Sequence, residues 1–176
     1  MKLAYTIFFV CIIFSKFSLA QSIVVVNIEF LIDNNENYLN ILEEMELSQQ
    51  NYLDKFKEKE SKLEKLFNDI EESKLILNEN EVNLQIENYN NQLKNFTILV
   101  DDFNFHYQNQ IINIRDSILE EILFILENYA IENNIDLILD STSYLIASNT
   151  IDITNIINLE LAKIDLKLEY KDFEKN

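Results

Sequence analysis

The chain has 176 residues, a net charge of −17, 48% hydrophobic residues, no glycine, no proline and one cysteine. This length predicts a single domain, and the hydrophobic content is too high for a disordered chain. The negative charge argues against binding to nucleic acid or to anionic membrane surfaces, and a single cysteine excludes an internal disulfide.

The first 20 residues have the pattern of a secretory signal peptide. Lys2 makes the start positive, an apolar run follows, and Ser18 and Ala20 occupy the small-residue positions before a cleavage site. The apolar run is short for a membrane span, and Lys16 interrupts it. We therefore predict that residues 1–20 are removed after Ala20 and that the mature chain is exported.

The stretch "SIVVVNIEF", residues 22–30, is short and rich in β-branched residues, which predicts a strand. Its apolar residues do not alternate with polar ones, which is typical of a strand buried on both faces. Asp33 to Asn35 then supply turn-forming side chains that are suited to cap a following helix.

From Tyr38 onwards, apolar residues recur at alternating spacings of four and three, as in a coiled-coil seam. This stripe stops at "LNENEVN", where Asn78 followed by Glu81 fits a helix N-cap with its capping-box partner. A second stripe then continues to about residue 130. Two stripes joined by a short turn predict an antiparallel helical hairpin, here called the arm, over residues 38–130 with its tip near 76–82.

The end of the arm is expected to enter a core, because residues 111–130 are apolar over much of the helix circumference. Beyond it, "IDLILD" (135–140) and "YLIAS" (144–148) predict two strands, with serine and threonine replacing glycine in the loop. We expect Thr154 to be the N-cap of a last helix over 155–170.

Residues 21–37 and 131–176 should thus form a small β-rich body, and the fold class is α+β. A body of this size cannot build a large core, and short sheets have open edges that favour pairing with another chain. We therefore predict oligomerisation through the sheet.

Few polar side chains in this sequence suggest a catalytic or metal-binding role. His106 is a single histidine without a cysteine partner or a carboxylate pair, so it predicts neither a metal site nor a nucleophile relay. A chain without glycine cannot form a glycine-rich phosphate loop. Arg115 is expected to pair with Asp116 or with an acid of a neighbouring chain. The remaining acids near the strands are assigned to strand-edge and capping roles: Asp136, Asp140 and Asp152. We predict no enzyme, no cofactor and no metal.

The order of strand, long hairpin, strand, loop, strand and helix behind a signal peptide resembles the Skp/OmpH family of periplasmic chaperones. Three stretches carry the resemblance: "SIVVVNIEFLIDN", the tip "LNENEVN", and "IDLILDSTSYLIASNTIDITNII". The resemblance implies a homotrimer whose strands pool into a central barrel, with three arms around a cavity. It also implies ATP-independent holding of unfolded outer-membrane β-barrel proteins in the periplasm, without an active site.

Two sets of residues follow as candidates for these roles. The candidates for the trimer body are the apolar strand residues Val24, Val26, Leu137, Leu139 and Leu145. The candidates for client contact are the aromatic residues Phe96, Phe103, Phe105 and Tyr107. Packing inside the arm seam is the favoured interpretation for all of these aromatics except Phe105, which lies off the seam.

One departure from the family pattern concerns charge. The best-studied members are basic with cationic arm tips, whereas this chain is acidic and its tip carries Glu79 and Glu81. Direct binding of lipid or lipopolysaccharide is therefore not expected, and client holding would depend on apolar surface. The alternative is a structural coiled coil of the cell envelope without client binding, which predicts a stiff rod lacking the C-terminal strand pair.

Overall fold

A computed structural model describes residues 22–174, so the predicted signal peptide and its cleavage site lie outside the described residues. The chain is mostly helical, with two long helices, a small sheet and a short C-terminal helix, which confirms the α+β class. The elements in chain order are β1 (Ile23–Val26), α1 (Ile28–Asp33), α2 (Glu36–Ser73), α3 (Glu79–Asn133), β2 (Leu137–Asp140), a 3-10 turn (Ser141–Ser143) and α4 (Thr154–Leu161).

The described residues form two compact units. The sheet unit comprises residues 22–28 and 122–163, and the arm unit comprises residues 29–121 and 164–174. Helix α3 contributes to both units, because its last turns belong to the sheet unit.

The sheet unit is built on β1, which pairs in parallel with β2 from Ile23 opposite Leu137 to Val26 opposite Asp140. Val25 also bridges to Asp152, so β1 has neighbours on both edges. A central parallel strand is buried on both faces, which explains its run of valines. The buried apolar residues of this unit are Val24, Val25, Val26, Ile122, Ile125, Leu126, Ile153, Ile157 and Leu161.

The strand expected over residues 22–30 is shorter than predicted, because side-chain acceptors replace the sheet hydrogen bonds after Val26. The Asn27 amide donates to Thr154 Oγ1 at 2.9 Å, and the Ile28 amide donates to Asp140 Oδ1 at 3.1 Å. The chain then turns into α1. The prediction that Thr154 is the N-cap of α4 is wrong, because Ile153 occupies the N-cap position. The Thr154 hydroxyl oxygen accepts the hydrogen bond of the Asn27 amide instead.

Residues 144–148, expected to be a strand, form an irregular segment instead. A strand needs a hydrogen-bonded neighbour, and within residues 22–174 this segment has no strand partner. Leu145 is 100% exposed and Ile146 is 92% exposed, so the apolar side chains that suggested a buried strand face solvent in the single chain.

The last helix, expected over 155–170, ends at Leu161. From Ile164 to Tyr170, half-buried apolar residues alternate with exposed charged ones. Apolar residues at every second position cannot form one stripe along a helix, because a helix has 3.6 residues per turn. Residues 164–174, here called the tail, are neither helix nor strand, and they pack within the arm unit.

The arm unit is an antiparallel hairpin of α2 and α3. Contacts that step forward along α2 step backward along α3: Arg115 lies over the Tyr38 ring, Tyr52 stacks on Phe103, and Phe67 stacks on Tyr89. Helix α2 has 38 residues and is therefore about 57 Å long at the usual rise per residue. The buried stripe on α2 consists of Tyr38, Ile41, Met45, Phe56, Leu63 and Ile70.

Side chains cap both arm helices. The Asn35 side chain accepts a hydrogen bond from the Tyr38 amide at 3.0 Å, which begins α2. At the tip, the Glu81 amide donates to Asn78 Oδ1 at 3.1 Å, and the Asn78 amide donates back to Glu81 Oε2 at 3.3 Å. This reciprocal pair is a capping box, and it satisfies amides that have no partner inside the first turn of α3.

Candidate functional site

The centre of the hairpin is an aromatic cluster around Phe103. The Phe103 ring contacts Tyr52, Phe56 and Tyr107 with centroid distances of 5.5, 5.0 and 4.9 Å. Phe96 joins the cluster through Phe56 at 5.9 Å. Such tilted and edge-to-face pairs are the preferred geometries of aromatic rings. The cluster fastens the middle of α2 to the middle of α3.

Three of the four aromatic candidates for client contact are inside this cluster. Phe96 is 7% exposed, and Phe103 and Tyr107 are each 3% exposed, so all three pack within the arm when the tail is in place. Phe105 differs, because it is 67% exposed on the outer side of α3. The spacing of the seam separates these two classes, since Phe105 lies off the apolar stripe.

The tail closes the cluster on one side. Phe173 is buried, and its ring lies 5.5 Å from Tyr52, 5.5 Å from Phe103 and 5.6 Å from His106. The Tyr52 hydroxyl donates to the Phe173 carbonyl oxygen, and His106 Nε2 donates to the Lys171 carbonyl oxygen at 2.7 Å. His106 is therefore a contact for the tail.

Two more polar contacts hold the tail on α2. Ser48 Oγ donates to Asp172 Oδ1 at 2.5 Å, and the Tyr170 hydroxyl donates to the Glu44 carbonyl oxygen at 3.2 Å. Burial raises the pKa of the Tyr170 phenol, and the charges of Asp172 and Glu44 raise it further.

The sequence analysis missed the docking of the tail on the hairpin. Its signal was present in "KIDLKLEYKDF", where the apolar residues change from a helical spacing to strict alternation.

Several large apolar side chains of the arm stay exposed in spite of the acidic surroundings. At the tip, Leu75 is 89% exposed and Ile76 is 84% exposed. Others are distributed along both helices: Leu47, Leu53, Phe67, Leu84, Ile98 and Phe105. The hairpin thus presents exposed apolar side chains at several separate positions along its length.

The candidate residues of the trimer body divide into buried and exposed groups. Val24 and Val26 are buried within the sheet unit of their own chain, and Leu139 is half-buried. Leu137 is 46% exposed and Leu145 is 100% exposed. Of the five candidates, these last two are the most exposed, and the neighbouring Ile146 is 92% exposed.

Arg115 organises the charged contacts at the start of the arm. Its guanidinium donates to Asp33 and to Glu29, each at 2.7 Å, and not to the expected Asp116. One planar group with separate nitrogens can hold both carboxylates at once. Hydrogen bonds with Tyr38 and then with Asp33 raise the pKa of Arg115 above its ordinary value. At the surface of α2, a hydrogen bond from Lys62 lowers the pKa of Glu58.

Within residues 22–174, no group of histidine, cysteine, aspartate and glutamate side chains is arranged to hold a metal ion. The same residues contain no helix with the length and hydropathy needed to cross a bilayer. The features of the site are therefore apolar surface, aromatic packing and hydrogen bonds to main-chain carbonyls.

Comparison with protein families relates this geometry to known proteins. The model of the family described as "Outer membrane protein (OmpH-like)" matches residues 22–161. The chain belongs to this OmpH-like family. Comparison with curated proteins finds no match. The fold is similar to the crystal structure of a candidate outer membrane chaperone (OmpH-like) from Caulobacter crescentus CB15, with a TM-score of 0.71 and 10% identity over 89% of this chain and 92% of that one.

The OmpH-like family match includes β1, the whole hairpin, β2 and α4, and it ends at Leu161. The tail that covers the aromatic cluster lies beyond the match, while every residue that the tail contacts on the hairpin lies within it.

Proposed function

We propose that this OmpH-like chain is a periplasmic, ATP-independent holdase that keeps unfolded outer-membrane β-barrel proteins from aggregating. The observation that carries the proposal is the long acidic hairpin of an OmpH-like fold with separated, exposed apolar side chains along it. The C. crescentus protein of similar fold is itself described as a candidate outer membrane chaperone.

The arrangement suits the holding of an unfolded chain. Separated apolar side chains bind apolar segments weakly at many points, so the recognition is broad and does not depend on one sequence. The net charge of −17 keeps such a surface soluble between binding events. Among the four aromatic candidates, we assign client contact to Phe105, because Phe96, Phe103 and Tyr107 are buried while residues 164–174 lie on the hairpin.

We further propose that three copies assemble through their sheet units. The sheet has two strands, and Leu137, Leu145 and Ile146 lie exposed on this unit. A second copy that covered them would remove three large apolar side chains from water. A partner strand would also give residues 144–148 the neighbour that they lack within one chain.

An aggregation assay tests the holdase function. A denatured outer-membrane β-barrel protein is diluted from urea with and without residues 21–176, and light scattering is recorded. We expect suppression at a stoichiometric amount of assembled protein. Phe105→Ser should weaken suppression, whereas Gln108→Ser, a control at another exposed position of α3, should leave it unchanged. No suppression by the unaltered chain would favour the structural coiled coil instead.

Analytical ultracentrifugation tests the assembly separately. The unaltered chain should sediment as a trimer, and Leu145→Glu should shift it towards monomer because a charge replaces a covered apolar side chain. A stable monomer of the unaltered chain at micromolar concentration would contradict the proposed assembly.

A further inference from the structure

The tail has the residue pattern of an amphipathic β-strand, although it lies against helices. Ile164, Leu166, Leu168 and Tyr170 alternate with charged residues, and in the structure each of these four is more buried than its neighbours. The strands of membrane β-barrels have the same alternation of apolar and polar residues. The tail therefore resembles, in chemistry, a segment of the clients that we assign to this protein.

The hairpin surface that holds the tail, here called the tail face, consists of Glu44, Ser48, Tyr52, Phe103 and His106. Tyr52 and His106 donate hydrogen bonds to main-chain carbonyl oxygens of the tail, those of Phe173 and Lys171. Every polypeptide has such oxygens, so these two contacts do not depend on a particular side-chain sequence. The aromatic rings of Tyr52 and Phe103 add a site for one aromatic side chain.

The tail is suited to leave this surface. Its alternating residues are only half-buried, and its one deeply buried side chain is Phe173. No strand pairing joins it to any other part of the described chain. The contacts between α2 and α3, such as Phe56 with Phe103, do not involve the tail, so its departure does not require the hairpin to open.

We propose that the tail face is a binding site for extended amphipathic segments of unfolded proteins, and that the tail is an internal occupant which competes with them. This inference rests on the proposed holdase function and adds a location, a mode of recognition and a means of lowering affinity. The face lies within the residues matched to the OmpH-like family, and the competing segment lies beyond them.

The first experiment releases the tail and uses the tail itself as the probe. A fluorescent peptide with the sequence of residues 163–174 is added to residues 21–176 carrying Tyr170→Ala and Phe173→Ala, and anisotropy reports binding. A face that the tail fills most of the time should bind the peptide at least about tenfold more tightly once the tail is released. The control variant, Lys167→Ala with Glu169→Ala, changes exposed tail residues and should behave like the unaltered chain.

A second peptide controls for unspecific sticking. It has the same composition, but its apolar residues are grouped so that the alternation is lost. Equal binding of both peptides, or equal binding of the first peptide to the released and unaltered proteins, would overturn the inference. Far-UV circular dichroism checks that the released variant keeps its helices.

The second experiment locks the tail in place, and its result stands even where the released variant does not fold. Ser48→Cys with Asp172→Cys replaces two side chains whose oxygens are 2.5 Å apart. The mature chain has no other cysteine, since Cys11 lies in the predicted signal peptide. After oxidation with a glutathione buffer, binding of the peptide should be lost, and reduction should restore it. Unchanged binding in the oxidised form would contradict the inference.

The same proteins are then tested with an unfolded outer-membrane β-barrel protein, which separates the inference from the proposed function. Where the unaltered chain suppresses aggregation, the released variant should do so at lower concentration and the locked one only at higher concentration. Equal suppression by all three would overturn the competition. Where none suppresses aggregation, the holdase function fails, and the peptide measurements alone decide whether the tail face binds extended segments.

Discussion

The carboxylate of Asp140 accepts a hydrogen bond from the backbone amide of Ile28 at 3.1 Å, which ties the end of β2 to the first residue of α1. The same side chain accepts from the Thr142 amide at 3.0 Å and from its hydroxyl at 2.6 Å. Burial alone would raise the pKa of Asp140, but these hydrogen bonds outweigh it, so the pKa lies below its usual value.

Replacing this carboxylate should destabilise the sheet unit. Asp140→Ala removes the acceptor of three hydrogen bonds and should lower the free energy of unfolding by about 1–3 kcal/mol. Urea denaturation followed by circular dichroism measures this change. Asp116→Ala, at an exposed position of α3, is the matched control and should stay within about 0.5 kcal/mol. Equal effects of the two substitutions would contradict the structural role of Asp140.

The lowered pKa of Asp140 also predicts a pH dependence. A carboxyl group with a lower pKa in the folded state stabilises the fold above its unfolded pKa of about 3.9, and this contribution is lost as the pH falls through the folded value. The stability difference between the unaltered chain and Asp140→Asn should therefore be constant near neutral pH and shrink below about pH 4. Urea titrations between neutral and acidic pH test this, and a difference that grows on acidification would refute the assignment.

Arg115 should stabilise the arm unit through its two carboxylate partners. Arg115→Ala leaves Glu29 and Asp33 without their cation and should cost about 1–2 kcal/mol, because the pairs are partly exposed and screened by water. Arg115→Lys should recover only part of this loss, since an ammonium group cannot hold both carboxylates in the same planar geometry. The exposed Lys94 provides the control: Lys94→Ala should have little effect. Full recovery by lysine would show that charge alone matters.

The aromatic candidates should separate by burial. Phe103→Ala removes the centre of the cluster and should cost about 3–5 kcal/mol, while Phe105→Ala should remain within about 0.5 kcal/mol because its ring is already in solvent. Thermal unfolding of both variants gives the comparison. In the aggregation assay the order should be reversed. Phe105→Ala should weaken suppression more than Phe103→Ala does, although Phe105→Ala has the smaller effect on stability. Similar losses of stability in the two variants would conflict with the packing of the hairpin.

The capping box at the arm tip allows a test with opposite signs. Asn78→Ala removes the acceptor of the Glu81 amide and should destabilise the chain by about 0.5–2 kcal/mol. Asn91→Ala lies in the exposed interior of α3, where alanine is the better helix former, and should stabilise slightly. Melting temperatures that move in the same direction for both variants would contradict the cap.

The arm was predictable from sequence because its signals are local. Apolar spacings of three and four, and the Asn78 and Glu81 pair, act between residues within a few positions of each other. The run of β-branched residues likewise indicated β1, and "LILD" indicated β2. The places of Phe103 and Phe105, inside and outside the seam, follow from the same periodicity.

The tertiary structure decided what depends on residues far apart in the chain. Where β1 ends is determined by the side chains of Asp140 and Thr154, more than a hundred positions away. Residues 144–148 have the composition of a strand but no partner within the described chain. The tail leaves the helical path where its apolar residues begin to alternate, but the surface that it covers is decided by long-range contacts such as those of Phe173 with Tyr52 and Phe103. Sequence periodicity reports which residues share a face, but which surface covers that face depends on long-range packing, and the local pattern carries no record of it.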